Sequence, residues 1–433
     1  MDSTLKAGQF FRMKKTLLLL AFFWPGLSFS QDEGLRNFDY VYLDYIKSVK
    51  FHVQGLVLSM PVLNLNSGAA LELSFDDLEG DAKNYTYSVV HCNADWTPSN
   101  LIEPEYIDGF TEGDIRDFAY SFKAKTIFTN YRLNFPNNDI RISKSGNYLL
   151  KVYENEGRKR LAITRRFMVV EPIVSVIPDV VRPAQVSKGD THQEIDFRIT
   201  HKNFEIRNPR QELSVTVLQN GRWDNAITGL QPIFIRQEEQ IYDYQDKVVF
   251  SAGKEFRYAD LRSLRYGSES IEFIEFIDNQ YEVVLRRDEK RNHVRYLEVE
   301  DINGNFVIET FDDDDFDLES DYANVLFSLY SPTELYDQDV YIFGALTDWQ
   351  LKPEFKMVYN PAVSSYVGKV KLKQGYYNYL YATLPRGAQR PDFEETEGDW
   401  FETRNTYTIL VYYRPFGDRF DRLIGAYSFG SRI

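Results

Sequence analysis

The residues best suited to covalent chemistry sit together in VVHCNADWTPSN, Val89 to Asn100, where the only cysteine, Cys92, adjoins one of five histidines, His91. A thiol and an imidazole make a nucleophile and its base when they share a proton. The run ahead of them has strand character, however, and neighbours along a strand point to opposite faces of a sheet. His52, His192, His201 and His293 are scattered, without nucleophile-elbow or papain-like surroundings. Cys92 is therefore expected as a buried free thiol that packs like a small apolar residue. No catalytic residue and no cofactor is expected, and the chain does not read as an enzyme.

Two other stretches invite binding chemistry. DDDDFDLESD, Asp312 to Asp321, offers hard carboxylate ligands for calcium but lacks the glycine and the spacing of an EF-hand loop. It is expected as a solvated acidic loop with no metal assigned. WTPSNLIEPEYIDGFTEGDIRDF is long for a hairpin link and mixes Trp96, Tyr106, Phe110 and Phe118 with acids. These four aromatics are candidates for a partner-facing lobe, or for a loop folded against its own sandwich.

The elements that must position these residues are strands. From Leu71 onward, short alternating runs rich in Tyr, Phe, Val and Ile are separated by Gly, Asn, Asp and Pro, and no long amphipathic helix interrupts them. An all-β fold of tandem immunoglobulin-like or early-set β-sandwiches is expected. Pro172, Pro178 and Pro183 break one ladder, and the acidic run suggests a second break. The resulting division is an N-terminal domain at 31–172, a middle domain at 173–318 and a C-terminal domain at 319–433. The first and last share an Asp-Trp pair (Asp95 and Trp96; Asp348 and Trp349) and a Lys-x-Gly-x-Tyr turn, KSGNY and KQGYY. Gly146 and Gly375 are expected there at positive φ, with Tyr148 and Tyr377 packed inward.

Residues 1–30 are expected to be removed. MKKTLLLLAFFWPGLSFSQ from Met13 has the basic end, apolar run and small residues of a secretory signal cut ahead of Gln31, and the first twelve residues read as upstream of the true start. The apolar run is shorter than the roughly 20 residues of a spanning helix, so direct membrane insertion is not expected. A formal net charge of −15 argues against nucleic acid and anionic lipid as partners. One cysteine permits no intramolecular disulfide, so stability rests on packing.

Two resemblances add to this reading. DVYIFGALTDWQLKPEFKMVYNPAVSSYVGKVKLKQGYYNYLYA resembles a glycogen-binding, early-set immunoglobulin-like domain, in which an exposed tryptophan stacks on sugar; Trp349 would be that residue here, or else would plug its own sandwich. HCNADWTPSNLIEPEYIDGF, YRLNFPNNDIRISKSGNYLLKVYENE and LAITRRFMVVEP, with the distal FETRNTYTILVYYRPFGDRFDRLIGA, resemble the plug protein family of the Bacteroidetes type IX secretion system. That resemblance implies a periplasmic protein, peripheral to the outer membrane, which stops the periplasmic end of a giant β-barrel translocon. Carbohydrate binding through the C-terminal domain is the alternative.

Overall fold

Tyr85–Cys92 lies in a six-stranded sheet between Gly146–Glu154 and Glu112–Ile115, with Arg160–Val170 on the far side of Gly146–Glu154. The computed structural model describes residues 34–431; the signal segment expected at 1–30 lies outside them. A four-stranded sheet faces the first, in the order Ile46–Val53, Leu71–Asp77, Thr129–Phe135, Asp117–Tyr120. Alternation puts Leu73, Phe75, Tyr85, Tyr87, Tyr131 and Tyr148 into one core between them, where the Phe75 and Tyr131 rings stack at 5.2 Å.

The expectation of an all-β sandwich fold holds throughout the described residues, and two further cores follow the first. The strand pairing does not follow the cut expected at 318. Strands Arg257–Asp260, Ile271–Ile277, Gln280–Leu285 and Phe306–Ile308 join the nine-stranded sheet of the third unit. Thr406–Tyr413 pairs instead with Leu213–Gln219, and Arg422–Gly430 pairs outside it, completing the middle unit. The third sandwich is thus an insertion between Val249–Ser251 and Thr406–Tyr413 of the middle one. The acidic run falls inside the inserted sandwich. It marks a surface segment, and a chain that leaves a core and returns gives no compositional sign of doing so.

Buried charges join the units. Asp76 of the first sandwich and Lys373 of the third lie 2.7 Å apart with side chains 1% and 2% exposed. Tyr322 Oη and Asn130 Nδ2 also donate to Asp76, at 2.7 and 2.8 Å, and Lys373 Nζ donates to the Asp317 carbonyl at 2.6 Å. On Arg160–Val170 two adjacent arginines diverge as strand geometry requires. Arg165 pairs with Asp348 of the third unit at 3.2 Å, while Arg166 sits over the rings of Trp96 and Trp223, the latter from the middle unit. The terminal hairpin covers the first sandwich: Phe420 packs on the His91 ring at 5.3 Å, and Asp421 accepts the Ala94 N–H at 2.8 Å.

The two Lys-x-Gly-x-Tyr turns share one bond. Tyr148 Oη donates to the Lys144 carbonyl at 2.8 Å and Tyr377 Oη to the Lys373 carbonyl at 2.7 Å, so each turn is closed by its own tyrosine. Gly146 has the expected positive φ, 137°, but Gly375 does not. Crowding explains Gly375: an added Cβ would lie 2.3 Å from the Val307 carbonyl oxygen, as one at Gly146 would lie 2.5 Å from His91 Nε2.

Two outcomes follow for stability. Gly146→Val and Gly375→Val are each expected to cost at least about 1–3 kcal/mol, and an unchanged melting temperature for either would show that its turn tolerates a side chain. Lys373→Met is expected to cost about 3–5 kcal/mol by stranding a buried carboxylate, with Asp76→Leu in the same chain restoring much of the loss. Urea midpoints test this, and a double variant no better than the single would exclude the pair as the cause.

Candidate partner interface

The sequence candidates separate into two groups. Trp96 is 7% and Tyr106 4% exposed, whereas Phe118 is 43% and Phe110 68% exposed. Trp96 has φ 66°, and its ring meets the Trp223 edge at 4.9 Å beneath the Arg166 guanidinium. Tyr106 packs beside His91 and donates to the Val89 carbonyl. These two hold the fold together and present no surface to a partner. Trp349 is half-buried against Phe256 and Phe343, with Arg222 over its ring, so it packs within its own molecule.

His91 and Cys92 do not form a catalytic pair. His91 is in register with Tyr148 and Cys92 with Asn147, which sets them on opposite faces. Burial lowers the His91 pKa to about 4, and its Nε2 lies 3.1 Å from the Ser145 carbonyl. Burial raises the Cys92 thiol to about 12, so the thiolate needed for attack is absent near neutrality. Both residues are 1% exposed.

Phe118 belongs to a wider surface. It lies on Asp117–Tyr120, the last strand of its sheet, beside the exposed Tyr120, and the chain continues through exposed Phe122 and Ile127. Phe122 N–H donates to the Leu318 carbonyl, which brings the acidic run alongside with its own exposed Phe311 and Phe316. Arg262 covers one face of Phe311, and exposed Tyr266 shares a shallow groove with it. A second groove of about 250 Å³ is lined by Lys123, Lys125, Asp313, Glu319 and Tyr281, and the Tyr281 ring contacts exposed Phe276 at 4.8 Å. Exposed aromatics of the first and third sandwiches therefore border their junction, forming an aromatic belt interrupted by charges.

Three of the acids in the belt are paired with bases of the chain itself. Lys123 pairs with Glu319 at 2.7 Å, Arg265 with Asp313 at 3.2 Å, and Arg132 with Asp317. The hydrogen bond between Lys123 and Glu319 raises the lysine and lowers the carboxylate pKa. Asp321 accepts the N–H groups of Lys125 and Thr126 at 2.5 and 3.0 Å across the junction. The run expected as a solvated loop is instead a clasp, because basic side chains and free amides of both sandwiches face it. Among the described residues no group of three or more His, Cys, Asp or Glu is placed to hold a metal. Sequence reasoning passed over Phe311, Phe316 and the run IEFIEFI, Ile271 to Ile277; aromatics set among acids, and a strand apolar on both faces, were the signals to read.

Comparison with known proteins connects this architecture to others. Residues 46–171 match the family described as type 9 secretion system plug protein, 1st domain. A crystal structure of a hypothetical protein from Parabacteroides merdae superposes with a TM-score of 0.88 at 38% identity, covering 92% of this chain and 100% of that one. A native alpha-2-macroglobulin structure from Escherichia coli, spanning domains NIE-MG1, is aligned at 9% identity over 48% of this chain and 99% of that chain, with a TM-score of 0.17 that supports no inference. No curated protein matches.

The thiol gives the simplest check of this geometry. Cys92 is expected to resist alkylation in the native chain and to react fully once the chain is denatured. Rapid native labelling would place it at the surface and restore it as a nucleophile.

Proposed function

The chain belongs to the family of the Parabacteroides merdae protein and carries a type 9 secretion system plug protein first domain at residues 46–171, and on that premise we propose that it is a periplasmic plug which binds and seals the periplasmic end of the outer-membrane translocon. The plug-domain match is the observation that carries this reading. The belt supports it, since exposed aromatics ringed by paired charges resemble the centre and rim of protein interfaces. So does the signal expected at residues 1–30. No helix among the described residues is long and apolar enough to cross a membrane.

A stopper also has to keep its shape. The three cores are tied by the Asp76–Lys373 pair, by Arg165 and Arg166, and by the terminal hairpin, so the belt is displayed on a braced body. The chemistry required is binding alone, and the inert Cys92 and neutral His91 are consistent with that.

Affinity-tagged chain isolated from membranes of its own cells is expected to bring down the outer-membrane β-barrel of the secretion system. Phe118→Glu combined with Phe122→Glu should reduce recovery by about tenfold or more, as loss of an aromatic anchor does, while Phe416→Glu, outside the belt, should not. Recovery of the chain without the barrel would refute the plug reading. Equal recovery for both variants would refute the belt as its contact surface.

A further inference from the structure

The last strand of the nine-stranded sheet, Ile271–Ile277, is paired on one side only, with Gln280–Leu285 through the turn at Asp278 and Asn279. Among the described residues no other strand pairs with its outer edge. Exposed edges are normally blunted by charged side chains, lysine above all, by proline, by brevity or by a bulge, because unpaired N–H and C=O groups recruit other strands; here the charges are the acids Glu272 and Glu275, which turn away anionic strands and not cationic ones. This edge has a register irregularity between Ile271 and Phe273 and then runs regularly from Phe273 to Ile277 with neither proline nor lysine. Phe273, Phe276 and Ile277 are each close to half exposed there.

The charge pattern describes what the edge lacks. Glu275 stands directly opposite Glu282, and like charges in that position repel. Glu282 is compensated on its far side by Lys369 at 2.6 Å and Asn324 at 2.9 Å. Among the described residues the Glu275 carboxylate has no hydrogen bond or ion pair, so the row running from Lys369 through Glu282 ends on an uncompensated carboxylate at the open edge. A strand added outside would set one side chain about 5 Å from Glu275. A cation at that place completes the row. Phe273 and Ile277 flank Glu275 on the same face, and apolar residues two positions to either side of the cation would cover them.

We propose that Ile271–Ile277 is a docking edge that accepts an extended segment by strand addition, the segment carrying Lys or Arg opposite Glu275 and apolar residues opposite Phe273 and Ile277. That the segment belongs to the secretion translocon rests on the plug reading. The edge continues the belt through Phe276 and Tyr281. A second copy is the poorer occupant, because antiparallel self-pairing about the centre of Phe273–Ile277 sets Glu275 against its own counterpart.

Two experiments separate the edge from the plug reading. The purified chain is titrated with the peptide Thr-Val-Thr-Lys-Thr-Val-Thr and with its central Lys→Glu version. The lysine peptide is expected to bind at least about tenfold more tightly, Glu275→Lys is expected to reverse the order, and N-methylation of alternate peptide amides to abolish binding. Equal affinities, no binding, or indifference to N-methylation overturns the edge whatever the partner is. In cells, a photoreactive benzoylphenylalanine replaces Phe273, with one at Phe416 as the control. An adduct from 273 with the outer-membrane barrel, mapped to a segment with a basic centre, supports the proposal. A self-adduct overturns it in favour of a dimer edge, and barrel recovery without an adduct from 273 overturns it while leaving the plug reading intact. Failure to recover the barrel at all sinks the plug reading, and the peptide arm still decides the edge.

Discussion

Everything displayed on the outside of this protein depends on a charge pair hidden inside it. Asp76 and Lys373 meet where two sandwiches touch, and both are almost without solvent. Removing two charges from water is costly, and attraction compensates only if the remaining donors and acceptors are also satisfied. Here they are: Tyr322 and Asn130 complete the carboxylate, and the Asp317 carbonyl and the Phe128 ring complete the ammonium. Such a pair adds little net stability over an apolar contact of equal volume. What it adds is position, since sliding the two sandwiches would leave two naked charges in a dry interface. Asp317 ties the acidic clasp into the same arrangement, and the belt of Phe118, Phe122, Phe311 and Phe276 is aligned as a consequence.

The inserted topology reinforces this. A domain held by one linker is free to swing, and its relation to its neighbours must be bought entirely with interface contacts. The third sandwich is held at both ends, because the chain enters after Val249–Ser251 and leaves into Thr406–Tyr413, neighbouring elements of one core. The returning strands then form the hairpin that packs Phe420 and Asp421 onto the first sandwich, next to His91 and Ala94. The plug-family domain matched at residues 46–171 and the returning hairpin, far apart along the chain, thus meet in space.

Local chemistry was legible in the sequence and long-range pairing was not. Alternation and turn residues identify the strands, because each depends on neighbours within about ten positions. The opposed faces of His91 and Cys92 follow from the same period of two. By contrast, whether Trp96 faces in or out depends on Trp223 and Arg166, which lie far away along the chain and carry no local mark of the contact. Gly375 shows the same limit. Its motif matches that of Gly146, yet the reason for glycine differs, being a positive φ in one turn and the approach of the Val307 carbonyl in the other. The acidic run was conspicuous, but its partners Lys123, Arg132 and Arg265 became visible only when three separate segments were placed together.

Charge is distributed according to the same division of labour. A chain with a formal net charge of −15 is protected from indiscriminate association by its surface field. At the belt Asp313, Asp317 and Glu319 are paired with bases of the chain itself, which leaves association there more to aromatic contact than to long-range attraction. On the edge strand at 271–277 the row of paired charges stops one residue short at Glu275. An acidic protein that leaves one carboxylate unanswered beside an open backbone edge repels its own copies and most anionic neighbours. It still admits a segment bearing a cation at the right register, so the same acidity that disfavours self-pairing makes this edge selective.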